Sequence, residues 1–307
     1  MKMSRLSRAY FPNNGRSNDE PILYAFMFIR DMHTGIMPFR NGGKYPFTIK
    51  LSRKNENLKK QLKEFLNIGQ FGGWSLDESL WNAVDTLSHY LATFGEVYLE
   101  IVHEDDKSKA GVTDKKLEFL PLGKVFRLVN NYIQFVPIKN WERGEKKFYV
   151  IPSDRIWYIK LPRKLGTPRQ HRKMLKKLNL LSEPMPEFAL KDGKLGGSAN
   201  YDFISHHLSK DIAIEQTTAN WGSISSLSQI KGTTEYYYIV NRLRSTRSQA
   251  LLREHILSEI NKLLCQLGIK NSIKVDGLVL STEILEAIKK LEKGEVGFSE
   301  ALKVIKD

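Results

Sequence analysis

Residues 76–94 carry apolar side chains at every third or fourth position, which is the pattern of a helix with one buried face. The buried stripe consists of Leu80, Trp81, Val84, Leu87, Leu91 and Phe94. Ser75 and Glu78 have the spacing of a capping box, in which each side chain accepts a backbone N–H at the start of the helix. Gly95 suits the left-handed turn that ends many helices. The sequence therefore predicts a helix with defined ends.

Extended patterns dominate the rest of the first half of the chain. Val97, Leu99 and Ile101 alternate with polar residues, which predicts a strand with one solvated face. Further strands are predicted at residues 44–52, 117–120, 125–129, 132–136, 147–151 and 156–161. Asn130-Asn131 lies between two of these strands and predicts a two-residue hairpin turn, because Asn tolerates positive φ. We expect an antiparallel meander.

The pattern changes at Pro162, and from residue 201 onward it is mainly helical. A first helix is predicted from residue 20 until Gly35 and Pro38 stop it. Further helices are predicted over residues 58–68, 201–219, 234–267 and 281–293 and from Ser299 onward. Residues 244–249 ("RSTRSQ") offer no core-facing position and are predicted to be exposed or to break the long helix. The predicted fold class is α+β, with a helix and antiparallel-sheet domain followed by long helices. The predicted domains are a flexible basic arm (1–19), the α+β domain (20–161), a basic linker or loop region (162–200) and a mainly helical region (201–307).

The charge of the chain points to a polyanionic partner. Lys and Arg number 48 against 34 Asp and Glu, which gives a formal net charge of +14. Such an excess attracts polyanions, most often nucleic acid, although acidic neighbours in an assembly could also balance it. The candidate phosphate contacts are Arg163, Lys164, Arg169, Arg172, Lys173, Lys176 and Lys177, with Arg242, Arg244 and Arg247 as a second basic strip that Arg253 extends. The alternative for the cations between Arg163 and Lys177 is a solvated helix face or a subunit contact.

Three adjacent tyrosines, Tyr236 to Tyr238, precede the second strip. They could stack on bases, but packing in a core or a subunit interface is the favoured prediction.

No pattern of catalytic residues stands out. The single cysteine, Cys265, excludes an internal disulfide and a zinc box and predicts a buried core thiol in a reducing compartment. "HEDD", residues 103–106, could ligate a cation, but a solvated hairpin tip is favoured. His255 lacks a nucleophile and an orienting partner, so a helix-surface or interface role is expected. The sequence thus predicts a non-enzymatic protein without a cofactor or metal. No apolar run is long enough to span a membrane.

Several short motifs in the first 161 residues resemble, in their order, those of portal proteins of tailed bacteriophages. The unit "FGEVYLEI" resembles the family's helix–Gly–strand core through Gly95, Tyr98, Leu99, Glu100 and Ile101. Before it stand "EPILYAFMFIRDMHTGIMPFR" and "YPFTIKL", and after it "LEFLPLGKV", "LVNNYIQFVPI" and "VIPSDRIWYIKLP". Residues 163–200 and the stretch "LREHILSEIN" depart from the family pattern.

The resemblance implies a wing-like domain over residues 20–161, then stem, clip and crown regions, in a compact form. It further implies a homo-oligomeric ring, usually dodecameric, at the capsid vertex, through which double-stranded DNA is packaged and ejected. The implied partners are that DNA, further copies of the chain, and capsid, head–tail adaptor and packaging-motor proteins. The implied location is the virion or the host cytoplasm. A portal-like protein repurposed by a host or a mobile element would fit the same motifs.

Two other classes of function stay open at this stage. One is a basic nucleic-acid-binding protein that forms no ring. The other is a metal-dependent nuclease or defence enzyme that uses His103, Asp105 and Asp106. The mass of the particle in solution distinguishes a protein that forms no ring from a ring. Cation-dependent cleavage of nucleic acid would identify the metal-dependent enzyme.

Overall fold

The computed structural model describes residues 23–38, 44–52, 56–68, 75–103, 115–120, 125–136, 146–181, 203–222, 235–269 and 272–305. The helices are α1 (Leu23–His33), α2 (Glu56–Phe65), α3 (Leu76–Phe94), α4 (Pro168–Leu181), α5 (Phe203–Thr218), α6 (Glu235–Gln266), α7 (Ser281–Glu292) and α8 (Phe298–Lys303). The strands are β1 (Thr48–Leu51), β2 (Glu96–His103), β3 (Lys115–Phe119), β4 (Val125–Arg127), β5 (Asn131–Phe135), β6 (Phe148–Pro152), β7 (Ile156–Lys160) and β8 (Ile273–Asp276). This mixture of helices and small antiparallel sheets is α+β, as predicted.

The described residues divide into two compact units. The first unit contains the described residues within 33–162 and 251–278. The second contains those within 23–32, 163–250 and 279–305. Each unit is therefore built from separate stretches of chain, and α6 contributes residues to both.

Helix α3 begins and ends where its sequence predicts. The Ser75 hydroxyl accepts the Glu78 N–H at 3.1 Å, and the helix starts at the next residue. At the other end Gly95 has φ 79° and donates its N–H to Leu91 O at 2.8 Å. Of the predicted stripe, Leu80, Val84, Leu87 and Leu91 are buried, whereas Trp81 and Phe94 are half-buried. The helix packs against α2 and β2 within the first unit.

Strand β2 is the central strand of the sheet β3–β2–β7. Val97, Leu99 and Ile101 are buried, as predicted. The prediction that the opposite face is solvated is wrong, because Glu100 on that face is only 3% exposed and lies opposite Glu118, which is 6% exposed. A second sheet covers the face: Tyr98 contacts Tyr132 at a ring distance of 6.0 Å.

That covering sheet has the order β4–β5–β6. Its inner face contributes Val125, Tyr132 and Ile151 to a core cluster together with Leu120. The predicted single meander is thus corrected to two sheets, since β7 returns to β2 instead of continuing from β6. The hairpin turn also moves by one residue: Leu128 N–H binds Asn131 O at 2.7 Å, so the two central residues are 129 and 130 and Asn131 opens β5.

Tyr158 of β7 lies on the covered face of the first sheet. Its ring stacks on Tyr98 at 4.6 Å, and its hydroxyl donates to Glu96 Oε2 at 2.9 Å. Burial, and secondly the nearby Glu96 carboxylate, raise the pKa of the Tyr158 hydroxyl well above its usual value. The phenol is therefore held in its neutral, donating form.

Strands β1 and β8 form a separate two-stranded antiparallel sheet in the first unit, with Leu51 opposite Ile273. The sequence analysis did not predict β8. Asn261 of α6 fixes its start, because the Asn261 amide donates to Ile273 O at 2.9 Å and accepts the Ile273 N–H at 2.7 Å. Cys265 is exposed, so the predicted buried thiol is wrong.

In the second unit, the first half of α6 packs on the C-terminal helices. The shared core consists of Ile239, Val240, Leu243, Ala250, Ile284, Ile288, Leu291 and Ala301. Residues 244–249 were predicted to be exposed or to break the helix, and both alternatives are wrong. Helix α6 runs through them without a break. Ser245 and Ser248 are buried. Gly222 approaches the α6 backbone here, so closely that a Cβ atom at position 222 would lie 2.6 Å from Ser245 N.

Candidate nucleic-acid interface

Helix α4 carries five of the seven cations of the first basic run. The sequence analysis predicted a basic linker or loop over residues 162–200, but residues 168–181 of it are helical. A local signal was present: Thr167 to Gln170 reads Thr-Pro-Arg-Gln, a capping box with proline at the first helical position. In the structure the Gln170 side chain accepts the Thr167 N–H at 2.9 Å, and the Thr167 hydroxyl accepts the Gln170 N–H at 3.3 Å.

The cations of α4 lie on one face of the helix, which we call the basic face. It consists of Arg169, Arg172, Lys173, Lys176 and Lys177, all exposed. At about 100° per residue these positions occupy an arc of roughly 140°. Arg163 and Lys164 lie in the 3-10 turn just before the helix and are exposed as well. No acidic residue occurs between residues 163 and 181.

The opposite side of α4 is its anchor. His171, Met174 and Leu178 are buried, and their positions are centred roughly opposite the basic face. His171 is 2% exposed, and its ring lies 6.1 Å from Phe28 and 5.4 Å from Trp221. Phe28 and Trp221 meet edge to face at 5.3 Å, a favourable aromatic geometry. This aromatic cluster fixes the helix so that its cations point to solvent.

The basic face matches a polyanion in size and charge. From position 169 to position 177 the cations extend over about 12 Å of helix axis. That length equals about three to four phosphate steps of one DNA strand at roughly 3.4 Å each. Contacts of this kind neutralise phosphates without reading base edges.

The predicted second strip does not form one exposed face. Arg242, Arg244 and Arg247 are all half-buried on α6, and Arg242 points about 140–160° away from the other two. Arg244 pairs with Glu292 at 3.8 Å, between Nη2 and Oε1. The Nε atom of Arg247 is buried and has no hydrogen-bond partner in the described part of the chain.

Arg253, which was expected to extend the strip, is a structural residue of the first unit. It is 8% exposed and donates from Nη1 to Ile36 O at 3.0 Å. Burial lowers the pKa of its guanidinium, and Glu254 opposes that change. An arginine held in this way is removed from any phosphate surface.

None of the three adjacent tyrosines, Tyr236 to Tyr238, is fully buried in a core. Tyr236 and Tyr238 are exposed, and Tyr236 has its ring 6.3 Å from Phe298. Tyr237 is half-buried.

The candidate catalytic residues are not assembled into a described site. His103 ends β2 opposite Lys115, while Asp105 and Asp106 lie outside the described residues. Among the residues that the structure describes, no group of three or more His, Cys, Asp or Glu side chains could hold a metal ion. His255 donates from Nε2 to Lys160 O at 2.8 Å, which is a structural contact within the first unit. No helix in the described ranges has the length and hydropathy needed to cross a bilayer.

Comparisons with known proteins gave one kind of match. No protein-family model matches the chain, and none of the curated proteins does. Among solved structures, the chain is similar to the crystal structure of an HK97 family phage portal protein from Corynebacterium diphtheriae. The sequences are 9% identical, the match covers 89% of this chain and 98% of that chain, and the TM-score is 0.46. A likeness at that level does not by itself establish a shared function.

Proposed function

We propose that this chain is a portal-like structural subunit that contacts double-stranded DNA through the basic face of α4. The observation that carries the DNA contact is the basic face itself: five exposed cations on one side of a helix whose other side is buried. The ring and the portal role are supported by the order of portal-like motifs in the first 161 residues. In this proposal, residues 20–161 are the wing, α5 and α6 form the stem around the clip, and residues 281–307 form the crown.

The mechanism is positional. Exposed Lys and Arg side chains make weak contacts with phosphates and exchange them readily, so DNA can move past without being held in one register. Energy for transport would come from a packaging motor encoded separately. The protein's own part is to keep the cations directed at the DNA path, and the Phe28–His171–Trp221 cluster does this for α4.

The DNA contact is tested with two matched double variants of the full chain. Lys176 and Lys177 are adjacent exposed lysines on α4, and Lys289 and Lys290 are adjacent exposed lysines on α7. Binding of random-sequence duplex DNA is measured by fluorescence anisotropy across a series of salt concentrations.

K176Q/K177Q is expected to reduce the slope of log K against log salt by about 1.8, that is about 0.9 for each phosphate that is no longer neutralised. K289Q/K290Q removes the same charge and is expected to leave the slope unchanged. Equal reductions in both variants would show that only net charge matters and would overturn the assignment to α4.

Ring formation is tested separately, by light scattering and negative-stain imaging of one sample over a range of protein and salt concentrations. Particles of about ten or more subunits with a central hole support the portal-like role. A monomer under every condition refutes the ring. DNA binding that survives in such a monomer would then identify a nucleic-acid-binding protein that forms no ring.

A further inference from the structure

No further inference is drawn: the strongest candidate, the cluster of His33, Asp85 and His89 beside α3 in the first unit, has His33 Nδ1 3.6 Å from Asp85 Oδ1 and the two imidazole rings 5.0 Å apart, but it does not bring three ligands to one point that could hold a metal ion.

Discussion

Replacing Gly222 by Ala tests whether the chain that follows α5 must pass against the backbone of α6. Gly222 has φ +75°, a conformation that an L-residue adopts at a cost of about 1–2 kcal/mol. A Cβ atom added there would lie 2.6 Å from Ser245 N, 2.9 Å from Asn241 O and 3.0 Å from Arg244 C. All three are helix backbone atoms, so no side-chain rotation relieves the overlap.

The expected cost has two parts. The strained φ contributes about 1–2 kcal/mol, reduced by the lower entropy of the unfolded Ala chain. Overpacking against atoms that cannot move adds about 1–3 kcal/mol. Gly294→Ala isolates the first part, because Gly294 has φ +71° and nothing within 4 Å of an added Cβ. Both glycines belong to the second unit, so both variants report on the same folding unit.

Urea unfolding followed by tryptophan fluorescence measures the difference between the two variants. We expect Gly222→Ala to lower the free energy of unfolding by about 1–3 kcal/mol more than Gly294→Ala, with m unchanged. Equal costs within about 0.5 kcal/mol would refute the close approach. Trp221 is the adjacent residue and supports His171, so we also expect weaker DNA binding by Gly222→Ala than by Gly294→Ala.

Two further predictions concern the first unit. Ser75→Ala removes the hydroxyl that caps α3 and should lower the free energy of unfolding by about 1 kcal/mol. Ser75→Asp supplies another capping oxygen and should keep the stability of the wild type. Equal losses of stability in both variants would contradict the capping role. Tyr158→Phe removes the hydrogen bond to Glu96 and should cost about 1 kcal/mol near neutral pH, allowing for partial exposure. Because the folded pKa of Tyr158 is raised, its contribution is complete below pH 10.0, the usual tyrosine pKa, and declines above that value. The stability gap between wild type and Tyr158→Phe should therefore narrow as pH rises past about 10, and a constant gap in urea titrations would contradict this.

The parts of the fold that follow from local signals were predictable. Ser75, Glu78 and Gly95 define α3 because caps act over three or four residues. The positions of β5 and β7 follow from alternation along a few residues. Thr167 and Gln170 show that α4 could have been predicted too, although only two apolar residues, Met174 and Leu178, mark its buried side beside His171.

The parts that depend on distant chain were not predictable. Glu100 reads as a solvated residue because nothing near it in sequence shows that a second sheet covers β2. The close approach of Gly222 to the α6 backbone at Ser245 likewise comes from another part of the chain.

Helical spacing alone directs Arg242 about 140–160° away from Arg244 and Arg247, so this division could have been read from the sequence. The burial of Arg253 could not, because it depends on the distant carbonyl of Ile36. The residues of the basic face could be predicted from their charge. That they all face solvent depends on the buried side of α4, formed by His171, Met174 and Leu178.

The pairing of β1 with β8 has a consequence for synthesis of the protein. Leu51 and its partner Ile273 are 222 positions apart in the chain. At about 5–20 residues per second, a ribosome needs roughly ten to forty seconds to deliver the second strand after the first. During that interval β1 is an unpaired edge, open to the wrong strand of a neighbouring nascent chain. The yield of soluble protein should therefore depend on translation speed and on chaperones that bind the chain around β1 until β8 has been made.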